Sequence, residues 1–377
     1  RGSAFDPGDY VYFLPESDGP CRFGMYNKYQ RLVLDSFPEF GGVRLCSITT
    51  RDAYSLAGML EDRDVLDFMK AAYFSIVVAD ILERLLWRIR PYEREPGTSD
   101  AFFERSMQRM QEAFESYGAR KRFAKILAVL DEILSEARTI PAPGVPAKPL
   151  VGIVGEIYLR MHAHANQELI RLLERYGAEV VNASFAEWVN YITYDGLRNA
   201  RTAFRLNLRR LRLAPLMESI GIMIHFIGDL LYKEYRQKQI YRRARTFVDL
   251  AEDHRIARLE EALVEEDLFT FDVGTETCLS IAGVVKYAAG GYNGVVNVYP
   301  FACMPSTTTT AVVKPLVDKL GLPFLDAPCD ESIQPGREAA IRTFMYQAHQ
   351  HFKKSGKGAG RDKGRSSGKG DGAGTYS

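Results

Sequence analysis

The stretch "VVNVYPFACMPSTT", residues 295–308, places a buried strand, an abrupt turn and the start of a helix directly after one another. Its apolar first part is typical of a central strand in a parallel sheet. Pro300 ends the ladder of such a strand, whereas Pro305 is favoured in the first turn of a helix. Cys303 is therefore predicted to be held rigidly between a strand and a helix, a placement that suits a metal ligand better than a core residue.

Strand and helix patterns alternate on both sides of this stretch. The apolar runs "LVGIVGEIYL" at 150–159 and "LPFLDAP" at 322–328 predict further strands. Between them, "NQELIRLLERYGAEVV" supplies an Asn166 cap, an amphipathic helix, a stop at Gly177 and another strand. Near the N-terminus, "YVYFL" at 10–14 and "VRLCSI" at 43–48 enclose a helical segment. These patterns predict an α/β protein with parallel sheets flanked by helices and a large helical content.

Composition shifts along the chain predict its domain organisation. We expect an N-terminal α/β domain with a helical extension at 1–140, a Pro-rich linker at 141–149 and a C-terminal α/β domain at 150–352. The rest, 353–377, is rich in Gly, Ser and Lys and is predicted to be a disordered basic tail. A length of 377 residues is more typical of two domains than of one.

Charge and hydropathy argue against a nucleic-acid-binding, a membrane-spanning or a secreted protein. The formal net charge is +1, and the tail alone is strongly basic, so the folded part is not a globally basic nucleic-acid binder. The longest apolar run, residues 220–232, is shorter than the roughly 18 residues of a membrane span. The first residues do not resemble a signal peptide, although a start at Arg1 is consistent with a segment of a longer protein. We therefore expect a cytoplasmic protein that binds neither membrane nor nucleic acid.

The five cysteines are spread along the chain without a dense pattern, which favours reduced thiols over a disulfide framework. Cys21, Cys278 and Cys303 each fall where a predicted strand gives way to a helix or where a helix begins. Such positions meet at the carboxyl ends of parallel strands, and a helix N-terminus is expected to lower a thiol pKa. The three thiols could hold an iron–sulfur cluster, or they could be ordinary small buried residues.

Cys329 follows the last predicted strand and is a further candidate ligand, whereas Cys46 lies inside a predicted strand and is expected to be structural. His162 and His164 lack a third ligand nearby, so a surface or pocket-lining role is favoured over a zinc site. One helical face carries the arginines at positions 198, 201, 205, 209 and 212. That face could be simply solvated, or it could meet an acidic partner, coenzyme phosphates or nucleic acid.

Several of these segments together resemble the 2-hydroxyacyl-CoA dehydratase family, most closely the dehydratase-like portion of large CoA-substrate-specific enzyme activases. The matching stretches, in chain order, are "GPCRFGMYNKYQRLVLD", "VGIVGEIYLRMHAHANQELIRLLERYGAEV", "EWVNY", "ETCLSIAG", "NGVVNVYPFACMPSTT" and "LPFLDAPCDE". They extend over most of residues 10–345. No phosphate-binding ATPase motif is present in the chain, so an activase would have to be a separate domain or protein.

The resemblance implies an α/β protein whose Cys21, Cys278 and Cys303 bind a [4Fe-4S] or double-cubane cluster. It implies that an ATP-hydrolysing activase reduces this cluster, and that the electron then drives radical dehydration or reduction of an acyl-CoA-like substrate. It also implies a homo- or heterodimer, and it gives Glu156 and Arg160 of "GEIYLR" as weaker catalytic candidates on a pocket-facing motif. The family does not use Cys329, and the histidines of "RMHAHAN" depart from its usual less polar loop.

Two other functions stay open at this point. The chain could be a non-catalytic electron-relay domain of a fused activase, in which the cluster only passes charge. It could also be a cofactor-free interaction module that uses its arginine face. The sequence leaves the substrate, the cluster nuclearity and the oligomeric state undetermined.

Overall fold

The computed structural model describes residues 5–17, 21–47, 62–118, 122–332 and 334–355. Its first unit consists of strand β1 (Val11–Phe13), helix α1 (Tyr26–Asp35) and strand β2 (Arg44–Cys46). The two strands pair in parallel, with Val11 opposite Arg44 and Phe13 opposite Cys46. The predicted strand–helix–strand unit is thus confirmed, as a small sheet of two short strands.

Three long helices follow: α2 (Asp62–Ile89), α3 (Thr98–Tyr117) and α4 (Phe123–Ala137). Their apolar stripes pack together into one core, which also takes in residues from much later in the chain. Phe74, Ile81 and Leu130 are fully buried there together with Tyr241. Burial of this apolar surface is the main source of stability for the helical layer.

The second sheet has four parallel strands in the order β4-β3-β5-β6. These are β3 (Leu150–Gly155), β4 (Glu179–Asn182), β5 (Gly294–Pro300) and β6 (Phe324–Cys329). Helices cover both faces, so β3 is buried along its whole length and reads as a continuous apolar run. This part of the α/β prediction is confirmed.

The helices after β3 are short. They are α5 (Ile157–Met161) and α6 (Leu169–Arg175). The predicted strand at 150–159 is therefore too long, because Gly155 has a positive φ of 119° and the Glu156 side chain caps α5. Asn166 does cap the next helix, since its Oδ1 accepts a hydrogen bond of 3.0 Å from the Leu169 N–H. Gly177, with φ 90°, lies between α6 and β4 as expected.

A helical hairpin separates β4 from the later strands. It consists of α7 (Phe185–Arg209) and α8 (Leu213–Arg245), and α9 (Ile256–Glu265) packs beside it. Among the described residues, α8 is the one helix that is long and apolar enough to cross a membrane by length and composition. Only 11% of its apolar window is buried, so the window is largely exposed rather than part of the core.

The last helices are α10 (Glu276–Ala289), α11 (Met304–Leu320) and α12 (Arg337–Lys354). The first two cover one face of the sheet together with α7 and α9, whereas α12 and α6 cover the other. Because α12 ends at Lys354, the first two residues of the predicted tail are helical, and residues 356–377 lie outside the described part. The predicted linker at 141–149 contains neither a helix nor a strand, and the two-domain division stays a prediction.

Candidate functional site

Cys303 lies where the sequence places it, between β5 and α11. It is the N-cap residue of α11, and Pro305 occupies the first turn of that helix. The Cys303 N–H donates to the Pro300 carbonyl at 2.9 Å, and the Cys303 carbonyl accepts from the Thr307 N–H at 3.0 Å. Ala302 before it has a left-handed φ of 60°, which turns the chain sharply. The backbone of Cys303 is thus fixed on both sides.

The Cys303 thiol does not show the expected lowering of its pKa. Burial raises the pKa, and hydrogen bonding from Ser306 in the first turn of α11 only partly offsets this rise. Desolvation therefore outweighs the effect of the helix N-terminus on the Cys303 thiol.

Cys278 is in the first turn of α10, and Thr275 is the N-cap of that helix, as predicted. Its side chain is completely buried, and the thiol lies 3.0 Å from the Thr275 carbonyl, to which it donates. Burial raises the pKa of this thiol to about 12, although the Tyr191 hydroxyl hydrogen-bonds to it. The thiol is therefore protonated at neutral pH and points into the core rather than toward the sheet edge.

Direct contacts nevertheless connect the three cysteine segments. Arg22, next to Cys21, donates from Nη2 to the Ala302 carbonyl at 2.6 Å. Thr277, next to Cys278, donates from Oγ1 to the Pro305 carbonyl at 3.3 Å. Both neighbours therefore contact the turn formed by residues 301–305, which holds Cys303. The thiols themselves do not form a group of three or more metal-binding side chains anywhere in the described ranges.

Cys329 and Cys46 occupy the positions that the sequence predicts. Cys329 is buried at the end of β6, opposite Pro300 in the adjacent strand, so it also borders the 301–305 turn. Arg337 approaches the Cys329 sulfur at 3.5 Å, but burial still raises the pKa of this thiol. Cys46 is the last residue of β2. Cys329 remains a candidate further ligand by its position.

Glu156 and Arg160 have different roles in the structure. The Glu156 carboxylate accepts from the backbone N–H groups of Tyr158 at 3.0 Å and Leu159 at 2.8 Å, so it caps α5. Its charge contributes to the raised pKa of Cys303, which places it near the cysteine edge of the sheet. Arg160 is buried, and its Nε has no hydrogen-bond partner within the described residues.

Arg160 lines a small cavity of about 40 Å³ between the sheet and the helical layer, which is open to solvent beside Glu252 and His254. Arg84, Glu187 and Asp253 line the same cavity, which has room for a few water molecules but not for a substrate. Burial raises the pKa of Glu187 to about 7, although Arg160 and Arg84 lower it. Sequence reasoning missed this cluster because its four members lie in four separate segments of the chain. The signal that could have found it is the charged pair Asp80 and Arg84 within an apolar helix.

His162, His164 and most arginines of the predicted α7 face lie at the surface. His162 and His164 are exposed, and the His162 Nδ1 accepts from the Ala165 N–H at 3.1 Å. Arg198 forms ion pairs with Glu260 at 2.9 Å and Asp272 at 2.6 Å. The arginines that follow it on α7, at positions 201, 205 and 209, are exposed.

Comparison of the chain with protein-family models, with curated proteins and with solved structures gives no match. The resemblance to 2-hydroxyacyl-CoA dehydratases therefore depends on the sequence motifs alone.

Proposed function

We propose that this chain is an iron–sulfur protein of the 2-hydroxyacyl-CoA dehydratase type, with Cys21, Cys278 and Cys303 as the cluster ligands. One observation carries this proposal: the segments of Cys21 and Cys278 both contact the turn that holds Cys303, through Arg22 with Ala302, 280 residues apart, and Thr277 with Pro305, 28 residues apart. Thiols at the carboxyl ends of parallel strands are a donor set that suits iron–sulfur clusters.

The donor set fits a cluster in type, but the Cys278 thiol points into the core and would have to reorient toward the 301–305 turn. The Cys278 thiol donates to the Thr275 carbonyl, so ligation requires this hydrogen bond to be given up. Metal binding would also displace the protons that burial holds on Cys278 and Cys303, since a ligating thiol must be deprotonated. The rigid backbone of Cys303 fixes at least one ligand in advance.

When bound, the cluster would supply a low-potential electron delivered by an ATP-hydrolysing activase. The chain's own residues would hold the site: Glu156 fixes α5 beside the cysteine edge, and Arg22 anchors the Cys21 segment to the Ala302 carbonyl. The proposal includes an acyl-CoA-like substrate, a dimeric assembly and a cytoplasmic location. The proposal also assigns catalytic roles to Glu156 and Arg160, and it allows Cys329 as a further ligand.

Anaerobic reconstitution tests the ligand assignment. We expect the wild-type protein to bind iron and sulfide in equal amounts. The iron content of the Cys303→Ser variant is expected to be at least about tenfold lower, because one ligand to the cluster is lost. Cys46→Ser is the matched control, since this cysteine lies in β2 and is expected to leave the iron content unchanged. A full cluster in Cys303→Ser, or no iron in the wild type, contradicts the proposal.

A second experiment separates the enzyme from the electron relay. The reduced protein is incubated with an activase and a panel of 2-hydroxyacyl-CoA thioesters, and product formation is followed. Turnover of at least one thioester supports the dehydratase. Normal reduction of the cluster without turnover favours the relay function.

A further inference from the structure

Helix α8 carries an exposed apolar row on the side opposite to its packing face. Four of its six buried residues recur every seven positions, at Ser219, Phe226, Lys233 and Ile240. A second row with the same repeat is exposed: Met217 at 66%, Ile224 at 66% and Leu231 at 63%. Positions two residues apart on a helix differ by about 200°, so the two rows face in opposite directions.

The exposed row is part of a heptad pattern. Apolar residues alternate at spacings of four and three, in the order Leu213, Met217, Ile220, Ile224, Ile227 and Leu231. Leu213 is 76% exposed and Ile227 38% exposed, and only Ile220 of the seam is partly buried within the described residues. A period of 3.5 residues is the pattern by which one helix packs against another in a coiled coil. We call these six residues the α8 seam.

Small residues line one edge of the α8 seam at the same interval, at Ala214, Gly221 and Gly228. Glycine is disfavoured inside a helix, so the presence of Gly221 and Gly228 within α8 requires an explanation. A Cβ atom added at Gly221 or Gly228 would meet nothing within 4 Å, so packing inside the described chain does not require either glycine. Small side chains beside a heptad seam permit a facing helix to approach closely.

We propose that the α8 seam docks antiparallel on the α8 seam of a second copy of this chain. In this arrangement Leu213 faces Leu231, Met217 faces Ile227 and Ile220 faces Ile224, each from the other copy. Every seam residue then has an apolar partner, and the two-fold axis passes near Ile222. Such a self-complementary patch is what an isologous dimer requires.

Charge selects the antiparallel direction. The turn at one end of the seam carries the exposed arginines Arg209, Arg210 and Arg212. The other end carries Glu234, which continues the heptad spacing three residues after Leu231 and pairs with Arg255 of the same chain at 3.4 Å. A parallel pair would bring the two arginine clusters together, whereas the antiparallel pair places them at opposite ends of the seam.

The α8 seam suits a lipid bilayer less well than it suits a second protein helix. Glu218 and His225 are exposed within the apolar segment, and insertion would bury their polar groups in lipid. Asp229 is held at the helix surface by Lys233 at 2.7 Å. The inference rests on the dimeric assembly of the proposed function and names the surface that forms it. Because no α8 seam residue borders the 301–305 turn, it can be tested without any cluster.

Sedimentation equilibrium of the full chain tests the interface. We expect a wild-type dimer, and at least a tenfold weaker association for Ile224→Glu, because two carboxylates would face apolar residues near the two-fold axis. Val264→Glu is the control, since Val264 is 69% exposed on α9 and outside the seam. Circular dichroism verifies that both variants are folded. A monomeric wild type, or a dimer that Ile224→Glu leaves intact, overturns the proposal.

Cysteine cross-linking tests the direction. Leu213→Cys mixed with Leu231→Cys is expected to give a disulfide-linked dimer absent from oxidised wild-type protein, whereas Leu213→Cys alone gives no additional dimer. Cross-linking of Leu213→Cys alone would indicate a parallel pair and contradict the register. Binding of a monomeric wild-type protein to phosphatidylserine vesicles, lost in Ile224→Glu, would assign the seam to a membrane and also overturn the proposal.

Discussion

Asp253 connects three helical segments that are far apart in the sequence. Its carboxylate accepts from Arg84 of α2, from Ser184 at the start of α7 at 2.7 Å, and from Gln237 and Tyr241 of α8 at 2.7 and 3.1 Å. Only 6% of the Arg84 side chain and 3% of the Asp253 side chain are exposed. This buried pair ties the helical layer to the hairpin, and its hydrogen bonds offset the cost of burying both charges.

Removal of the Asp253 carboxylate is expected to destabilise the fold strongly. Asp253→Ala leaves the Arg84 guanidinium buried without its counter-charge, which costs about 3–5 kcal/mol of unfolding free energy. Asp272→Ala is the control, because that carboxylate is 79% exposed in its pair with Arg198 and contributes about 0–1 kcal/mol. Urea denaturation of both variants measures the difference, and equal losses would contradict a special role for Asp253.

Two buried carboxyl groups predict a dependence of stability on pH. Asp80 accepts from the N–H groups of Phe185 and Ala186, both at 2.9 Å, yet burial raises its pKa to about 7. Burial also raises the pKa of Glu187 to about 7. The folded state therefore holds protons that the unfolded state releases, so stability falls as pH rises from about 4 to about 7, by up to about 1.4 kcal/mol per pH unit per group.

Substitution of Glu187 tests whether stability falls as pH rises. Glu187→Gln removes one titrating group, so the decline in unfolding free energy between about pH 5 and 7 is expected to become shallower. Glu261→Gln, at an exposed position on α9, is expected to keep the wild-type slope. Urea denaturation across this range measures both, and an unchanged slope in Glu187→Gln would show that this carboxyl is already ionised in the folded protein.

At the scale of elements, the junction between β3 and α5 depends on one close approach. A Cβ atom on Gly155 would lie 2.1 Å from the Val298 carbonyl oxygen of β5, and its φ of 119° disfavours any other residue. The sequence suggested a continuous strand through Glu156, because an apolar run does not reveal a glycine needed for contact between strands. The cap made by Glu156 likewise depends on where the strand ends.

Gly155→Ala is expected to cost about 3 kcal/mol or more, because backbone strain adds to a steric clash in the sheet. Gly144→Ala separates the two effects, since Gly144 also has a positive φ, of 79°, but no atom lies within 4 Å of an added Cβ. Thermal or urea unfolding of both variants compares them. Similar losses would mean that backbone strain alone matters at Gly155 and that the β5 carbonyl moves aside.

At the scale of the whole molecule, the packing of helices against the sheet joins more distant segments than the sequence indicates. Helix α2, from the N-terminal part of the chain, packs against both β4 and α8. The core around Tyr241 therefore joins segments from both sides of the predicted linker. Periodicity predicts that α2 has an apolar face, but it cannot identify which surface covers that face.

The sequence by itself determined the elements with strong local signals. Apolar runs bounded by Pro or Gly specify β5 and β6, capping residues specify α6 and α10, and the position of Cys303 follows from the two prolines beside it. These features depend on residues within a few positions of one another, so local physics is sufficient to predict them.

Only the tertiary structure decided which distant groups meet. It brought Arg22 to Ala302, placed Asp253 against Arg84, turned the Cys278 thiol into the core and left the α8 seam exposed. Desolvation also raised the pKa values of Cys278 and Cys303, where helix N-termini were expected to lower them. Burial and long-range contact depend on the packing of the whole chain, and no local pattern of residues encodes them.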